Sequence, residues 1–267
     1  FDDYPDAVAI GEVWVYDNEQ FSRYVRPDEL HLGFNFRLLR AEFDAADIRG
    51  AIENSLAAAA IADATPTWTL ANHDVDREPT RYGGGQIGLA RARAMALVML
   101  ALPGAVFIYN GEELGLPNVD LPDEALRDPV WERSGHTRRG RDASRVPMPW
   151  EGDAPPFRFS DNPDTWLPPP PEWAALTVDK QIADSESTLS FFRRAIELRR
   201  NHLEFSGSAV EWLDSPSDGL VFRLNSGLVC ALNAGRHAMA LPDGEVLLAS
   251  GPLADGKLPP NTAAWLV

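Results

Sequence analysis

Two carboxylates stand at the ends of apolar runs of strand length. Glu12 closes AVAIGE and is followed by Val13-Trp14, while Asp74 follows Asn72-His73 in TWTLANHD. Carboxylates delivered from separate strand ends to one bound substrate suit acid/base chemistry. Glycoside hydrolysis needs such a pair: a proton donor at the leaving oxygen and an anion near the developing oxocarbenium ion. An apolar neighbour such as Trp14 disfavours the charged form of a carboxyl, so Glu12 is expected to hold its proton. Asp74, beside His73 and within reach of arginines, is expected to stay ionised. On this reading Glu12 is the acid and Asp74 the anion. Taken singly, neither residue says much, because a strand-end Glu is ordinarily solvated and Asn and Asp are common turn formers.

The elements that would carry these residues repeat one pattern, an apolar run followed by a polar turn and a helical stretch. The runs are residues 7–14, 30–36, 67–72 and 105–115. The helical stretches are 18–25, 44–60, 86–102 and, after a long excursion, 187–200. Near-continuous apolar strands predict a parallel sheet with both faces covered. Strand-helix units in series indicate an α/β fold, either a doubly wound sheet or a (β/α)8 barrel. No glycine-rich phosphate loop follows any strand, which disfavours the dinucleotide-binding version. Barrel enzymes place their chemistry at the carboxyl ends of strands, where Glu12, Asn72-His73-Asp74 and Asn110 to Glu113 all fall. Glu112 and Glu113 are expected to cap the turn after the last strand.

The excursion at about residues 116–184 is rich in Pro and Trp, and is expected to be an ordered cap over the barrel mouth. Trp150, Trp166 and Trp173 within it could stack on sugars or fill a core. From residue 203 onward, short β-like runs separated by turn residues predict a small antiparallel sheet domain.

Composition narrows the partners. A net charge of −16 over 267 residues argues against nucleic acid, which needs a basic footprint. The longest apolar run is broken by Pro103-Gly104 and falls short of a membrane span. The single Cys230 excludes an internal disulfide and fits a reducing, cytoplasmic setting. His31, His73, His136, His202 and His237 show no metal-ligand clustering. The chain begins without Met in a strand pattern and reads like the interior of a longer protein.

In order, the motifs GEVW, ANHDVDREPTRYG, YNGEELGLPN and GRDASRVPMPW resemble the α-amylase superfamily of glycoside hydrolases. The segments around DPVWER, GRDASRVPMPW and WLP look most like its bacterial α-glucosidase branch, close to oligo-1,6-glucosidases. The resemblance implies that Glu12 is the general acid/base and that Asp74 stabilises the transition state. It implies that His73 and Arg141 bind the same sugar, with Arg77 and Arg81 in support. It implies residues 1–202 as the C-terminal half of a TIM (β/α)8 barrel, strands five to eight, and residues 203–267 as the antiparallel β domain.

The family's nucleophile, an Asp in a GFR-D-type strand, and its D--NH strand are not found in this sequence. The activity implied for the full-length protein is that of a retaining α-glucosidase acting on short α-glucoside oligosaccharides, with no cofactor and no metal. The missing N-terminal half of the barrel is the implied partner, with no nucleic acid and no membrane. The isolated chain is expected to be inactive, with apolar open edges that invite self-association. Two other readings stand beside it: a non-catalytic carbohydrate-binding or transporter-associated relative, and a barrel metallohydrolase.

Overall fold

The computed structural model describes residues 3, 4 and 6–267. The chain divides into two compact units, one formed by residues 1–70, 94–107 and 199–267 and the other by 71–93 and 108–198. The first of these units joins the C-terminal sheet to the first strands.

In the first unit, β1 (Ile10–Glu12) pairs in parallel with β2 (Leu32–Phe34), setting Glu12 opposite Phe34. Between them α1 (Asn18–Ser22) begins at Asp17, whose carboxylate accepts the Gln20 N–H at 2.8 Å. A short α2 (Arg37–Arg40), unanticipated from sequence, precedes α3 (Ala45–Ile61). Asp44 caps α3 by accepting the N–H groups of Ala46 and Asp47, each at 3.0 Å, satisfying donors that have no helical partner. A second parallel pair joins β3 (Thr67–Trp68) to β4 (Ala105–Val106). Thr67 links the pairs: its hydroxyl donates to the Gly33 carbonyl at 2.6 Å and accepts the Asn35 N–H at 3.2 Å. β2 therefore lies beside β3, between the two pairs.

The apolar run at 7–14 was expected to be covered on both faces, yet Val8 is 61% and Ile10 42% exposed. Among the described residues β1 has a ladder partner on one side only. The run at 105–115 shortens to two strand residues because turns begin at Tyr109.

The same unit carries a five-stranded antiparallel sheet made of β5 (Val210–Trp212), β6 (Gly219–Leu224), β7 (Val229–Asn233), β9 (Val246–Ala249) and β11 (Thr262–Leu266), in the order β5-β6-β7-β11-β9. A small pair, β8 (Met239–Ala240) with β10 (Lys257–Leu258), flanks it. Phe222, Cys230 and Trp265 fill its interior, and burial pushes the Cys230 thiol well up. The Trp265 indole donates to the Leu97 carbonyl at 3.0 Å. Arg199 donates to the carbonyls of Leu102 and Gly104, both at 2.9 Å. These bonds tie the sheet and the segment 94–107 into one unit.

The second unit holds α4 (Glu78–Arg81), the start of α5 (Gly85–Ala101), α6 (Pro129–Arg133), α7 (Val178–Ala183) and most of α8 (Thr188–Asn201). The excursion at 116–184 is ordered, with a core of its own that includes Leu116, Leu121, Phe157, Leu167 and Trp173. Gln181 stitches its end, donating to Leu114 O at 3.0 Å and accepting the Leu189 N–H at 3.0 Å. Trp173 is thus a core residue, while Trp150 and Trp166 are exposed. Among the described residues no helix is long and apolar enough to cross a membrane.

Helices α4 and α5 meet at Gly88, where an added Cβ would lie 1.9 Å from the Pro79 carbonyl oxygen. Backbone cannot yield as a flexible side chain can, so Gly88→Ala is expected to cost about 1–3 kcal/mol or more. Urea denaturation of the full-length protein measures this; an unchanged midpoint would show that the helices part freely.

Candidate active site

Asp74 sits in a tight turn after β3, its N–H bonded to the Asn72 side chain at 2.8 Å. Its Oδ1 accepts from Arg141 Nη1 at 2.9 Å and from Arg145 Nη2 at 2.8 Å, with His73 Nε2 at 3.5 Å. Both arginine contacts fall on Oδ1; among the described residues Oδ2 makes none. The carboxylate is 22% exposed, so it is open to a ligand yet partly shielded from water. Arg145 also donates from Nε to the His73 carbonyl at 2.7 Å, which holds the turn itself.

Arg141 is positioned from behind. The buried Asp128 accepts from Arg141 Nε at 2.7 Å and from its backbone N–H at 3.0 Å. The same carboxylate caps α6 through the Val130 N–H at 3.1 Å. Hydrogen bonding from Arg141 is the main reason the Asp128 carboxyl lies far below its usual range, winning over the opposing effect of burial. Asp128 in turn raises the Arg141 pKa. Buried Asp142 accepts the N–H groups of Arg127 and Asp128 at 2.6 and 2.7 Å, fixing the segment that carries Asp128. Gly140, at φ +77°, completes the arrangement, since a Cβ there would meet the Asp128 side chain at 2.6 Å. In GRD, each residue therefore has a separate structural task.

Beneath this cluster lies Arg77, 1% exposed. Its Nη1 donates to Asn110 O and its Nη2 to Ser144 O, both at 2.9 Å, and its own N–H donates to Asn118 Oδ1 at 2.9 Å. Its guanidinium also lies over the Tyr109 ring, 5.0 Å from the centroid. Two buried carboxyls, Glu78 and Glu112, adjoin it. Burial raises both, and the charge of Glu78 raises Glu112 further, while Arg81 partly offsets the effect on Glu78. Glu112 accepts the Tyr109 N–H at 3.1 Å and Glu113 the Gly111 N–H at 2.8 Å, so both cap the turn after β4.

Glu12 belongs to the other unit. It is exposed at the end of β1, and Trp14 Nε1 donates to its Oε1 at 2.6 Å. Trp14 stacks on Phe36 at 4.1 Å, and the Arg40 guanidinium lies 5.1 Å from its ring centroid. Trp14 thus meets the carboxylate with its polar N–H and not as the apolar wall expected from sequence.

One unit gathers Asp74, His73 and Arg141 around a shared oxygen, and Glu12 is carried by the other. Sequence reasoning overlooked Arg145 and Asp128. Both had signals: Arg145 lies four residues after Arg141 across a 3-10 turn at Asp142–Ser144, and Asp128-Pro129 is a helix-start pair. Among the described residues no three His, Cys, Asp or Glu side chains group as a metal site would require.

Residues 1–207 match the family model described as alpha amylase, catalytic domain. The chain belongs to the α-amylase family of glycoside hydrolases. It is similar to Maltase A2 of Drosophila melanogaster, 31% identical over 64% of this chain and 27% of that protein. A probable alpha-glucosidase of Rhizobium meliloti is likewise 31% identical, over 64% of this chain and 31% of the relative. The solved structure of the α-glucosyl transfer enzyme XgtA superposes with a TM-score of 0.84 at 31% identity, covering 100% of this chain and 52% of its own. The chain thus spans about half of that enzyme and a third or less of the two curated relatives. Its structural neighbours are α-amylase-family TIM-barrel enzymes.

Two predictions follow from these contacts. Asp128→Ala removes a charged hydrogen-bond partner of Arg141 and a helix cap, and is expected to lower kcat/KM of the full-length enzyme about ten- to hundredfold. Steady-state kinetics on an α-glucoside checks it, and unaltered kcat/KM would show that Arg141 is placed without Asp128. The raised Glu78 and Glu112 carboxyls contribute stability that is full below the ordinary glutamate value of 4.5 and declines as pH rises through their folded values. The slope is about 1.4 kcal/mol per pH unit for each proton held. Glu112→Gln should flatten that decline, seen as a smaller fall in Tm than in the parent as the pH is raised above 4.5.

Proposed function

We propose that the full-length protein is a retaining, exo-acting α-glucosidase that releases glucose from short α-glucoside oligosaccharides. Under this reading residues 1–202 supply strands five to eight of a (β/α)8 barrel and residues 203–267 an antiparallel β domain. Two parallel strand pairs, β1-β2 and β3-β4, joined through Thr67, support that assignment. The observation that carries the functional reading is Asp74, an anion held on Oδ1 by Arg141 and Arg145 with Oδ2 left for a ligand.

The reaction divides into two displacements at the anomeric carbon. In the first, a carboxylate nucleophile from outside this sequence forms a bond to C1 while the bond to the leaving oxygen breaks. Glu12 gives its proton to that oxygen. In the second, Glu12 takes a proton from water as the water oxygen attacks C1 and the nucleophile departs with its electron pair. Asp74 accepts sugar hydroxyls and opposes the positive charge that develops on the ring in both transition states. His73 and Arg141 hold the same ring. The second reading, transfer of the glucosyl group to another sugar hydroxyl in place of water, is favoured by the similarity to XgtA, described as an α-glucosyl transfer enzyme.

Asp74→Asn keeps shape but removes the charge, and turnover by the full-length enzyme should fall about 10³-fold or more with little change in Tm. Near-parental turnover would refute the role of Asp74. Glu12→Gln should slow maltose far more than an aryl glucoside whose acidic phenol leaves without a proton, and azide should then restore turnover. An equal loss of the first step on both substrates would remove Glu12 as the acid.

A further inference from the structure

Six arginines lie in the stretch from Arg127 to Arg145. Four of them are engaged. Arg127 donates to the Glu124 carbonyl at 2.8 Å, Arg139 pairs with Asp123 and Asp120, and Arg141 and Arg145 meet on Asp74. Among the described residues the Arg133 and Arg138 guanidiniums have neither an ion pair nor a hydrogen bond, and both border one cavity of about 570 Å³. Asp128, Val130, Gly140 and Arg141 line it with them, whereas Asp74, His73 and Arg145 do not. A single exposed arginine is ordinary. Two that face one concavity, in a chain with 40 acidic residues against 24 basic ones, are not unpaired for want of carboxylates.

The turn between them fixes their spacing. Arg133 ends α6, and the chain reverses through Gly135 and His136 at φ +64° and +63°. The Ser134 hydroxyl accepts the N–H groups of Thr137 and Arg138 at 3.2 and 3.0 Å, which returns Arg138 to the helix end that carries Arg133. The nearby acid Glu132 is taken up by His136 at 3.1 Å, and that ring stacks on Trp131 at 4.7 Å. On the cavity wall itself, Asp128 is already engaged by Arg141 Nε and by the Val130 N–H.

We infer that this cavity is a binding site for a small phosphate monoester, apart from the Asp74 turn and independent of the glucosidase reading. Three guanidiniums face one carboxylate there, an excess of two positive charges. A phosphate monoester carries about −1.5 to −2 at neutral pH, which matches that excess. It also presents three acceptor oxygens, enough to meet two guanidinium forks at once, where a carboxylate presents two. Like charges in a concave wall focus their field outward and draw in an anion of opposite sign. The volume leaves room beyond the phosphate for an organic part, which Val130 would meet with an apolar surface.

The test is calorimetric titration of the full-length protein, at neutral pH and about 0.15 M salt, with glycerol 3-phosphate, inorganic phosphate and glycerol. Glycerol 3-phosphate is expected to bind with a Kd below about 1 mM, and glycerol to give no saturable heat. Tighter binding of the ester than of inorganic phosphate supports an organic phosphate, and the reverse order overturns it in favour of the free ion. Arg133→Gln and Arg138→Gln should each weaken the ester about tenfold, because each removes a charged fork. Both side chains are exposed, so the Tm without ligand should stay at the parent value. Should a Gln variant lower it, Arg133→Lys and Arg138→Lys are compared instead; they keep the charge, lose the fork and must bind more weakly than the parent. Arg145→Gln should bind the ester within about twofold of the parent, since Arg145 does not line the cavity. A loss there equal to that of Arg133→Gln would move the anion to the Asp74 turn and overturn the site. Absence of saturable binding to the parent would overturn it as well.

Discussion

A single buried guanidinium holds together the loops that carry the acidic site. Arg77 donates to Asn110 and Ser144 carbonyls and, through its backbone, to Asn118. These groups lie 33, 41 and 67 residues along the chain from Arg77, and parting them from it would leave unsatisfied polar groups. Burial lowers the Arg77 pKa, and the nearby Tyr109 and carboxyls work against that shift. A cation so placed is costly unless its surroundings answer it, and here they do so with carbonyl dipoles, an aromatic face and acidic groups. The same turn therefore carries Asp74 at one end and its own anchor three residues later.

Above that anchor, charge is arranged in a chain of positioning contacts. Asp142 holds the backbone of Asp128, Asp128 holds Arg141, and Arg141 shares Asp74 with Arg145. Each link is short, and the chain runs from the buried Asp142–Asp128 contact out to the exposed Arg141–Asp74 contact. Preorganisation of this kind is what makes an anion effective against a charge that exists only in the transition state. Glu12 is built on another principle, with one indole donor and an exposed carboxylate.

Much of the architecture is legible in the sequence for local reasons. Asp44 and Asp17 announce helix starts because their side chains reach N–H groups two or three residues ahead. The short runs after residue 203 read as antiparallel strands because β-branched and aromatic residues alternate with turn formers, and the sheet from Val210 to Leu266 follows them closely. Strand lengths were less legible. The runs at 7–14 and 105–115 are apolar throughout, but a ladder extends only where a partner strand lies beside it, and hydrophobicity does not record that.

What the sequence determined by itself was the order of the motifs and the identity of the residues offered to a site: Glu12, His73, Asp74 and Arg141. Glu12 and Asp74 were read from residue type and their place at the ends of apolar runs, whereas His73 and Arg141 were implied by the family resemblance of the motifs that carry them. Tertiary structure alone decided that Arg145 shares Asp74 with Arg141 and that Asp128 stands behind Arg141. It also sent Trp173 into a core and left Trp166 at the surface, although both lie in the same Pro-rich stretch. The physical reason is separation along the chain. Asp74 and its arginines are about seventy residues apart, and a contact at that distance is fixed by how buried groups elsewhere satisfy their hydrogen bonds.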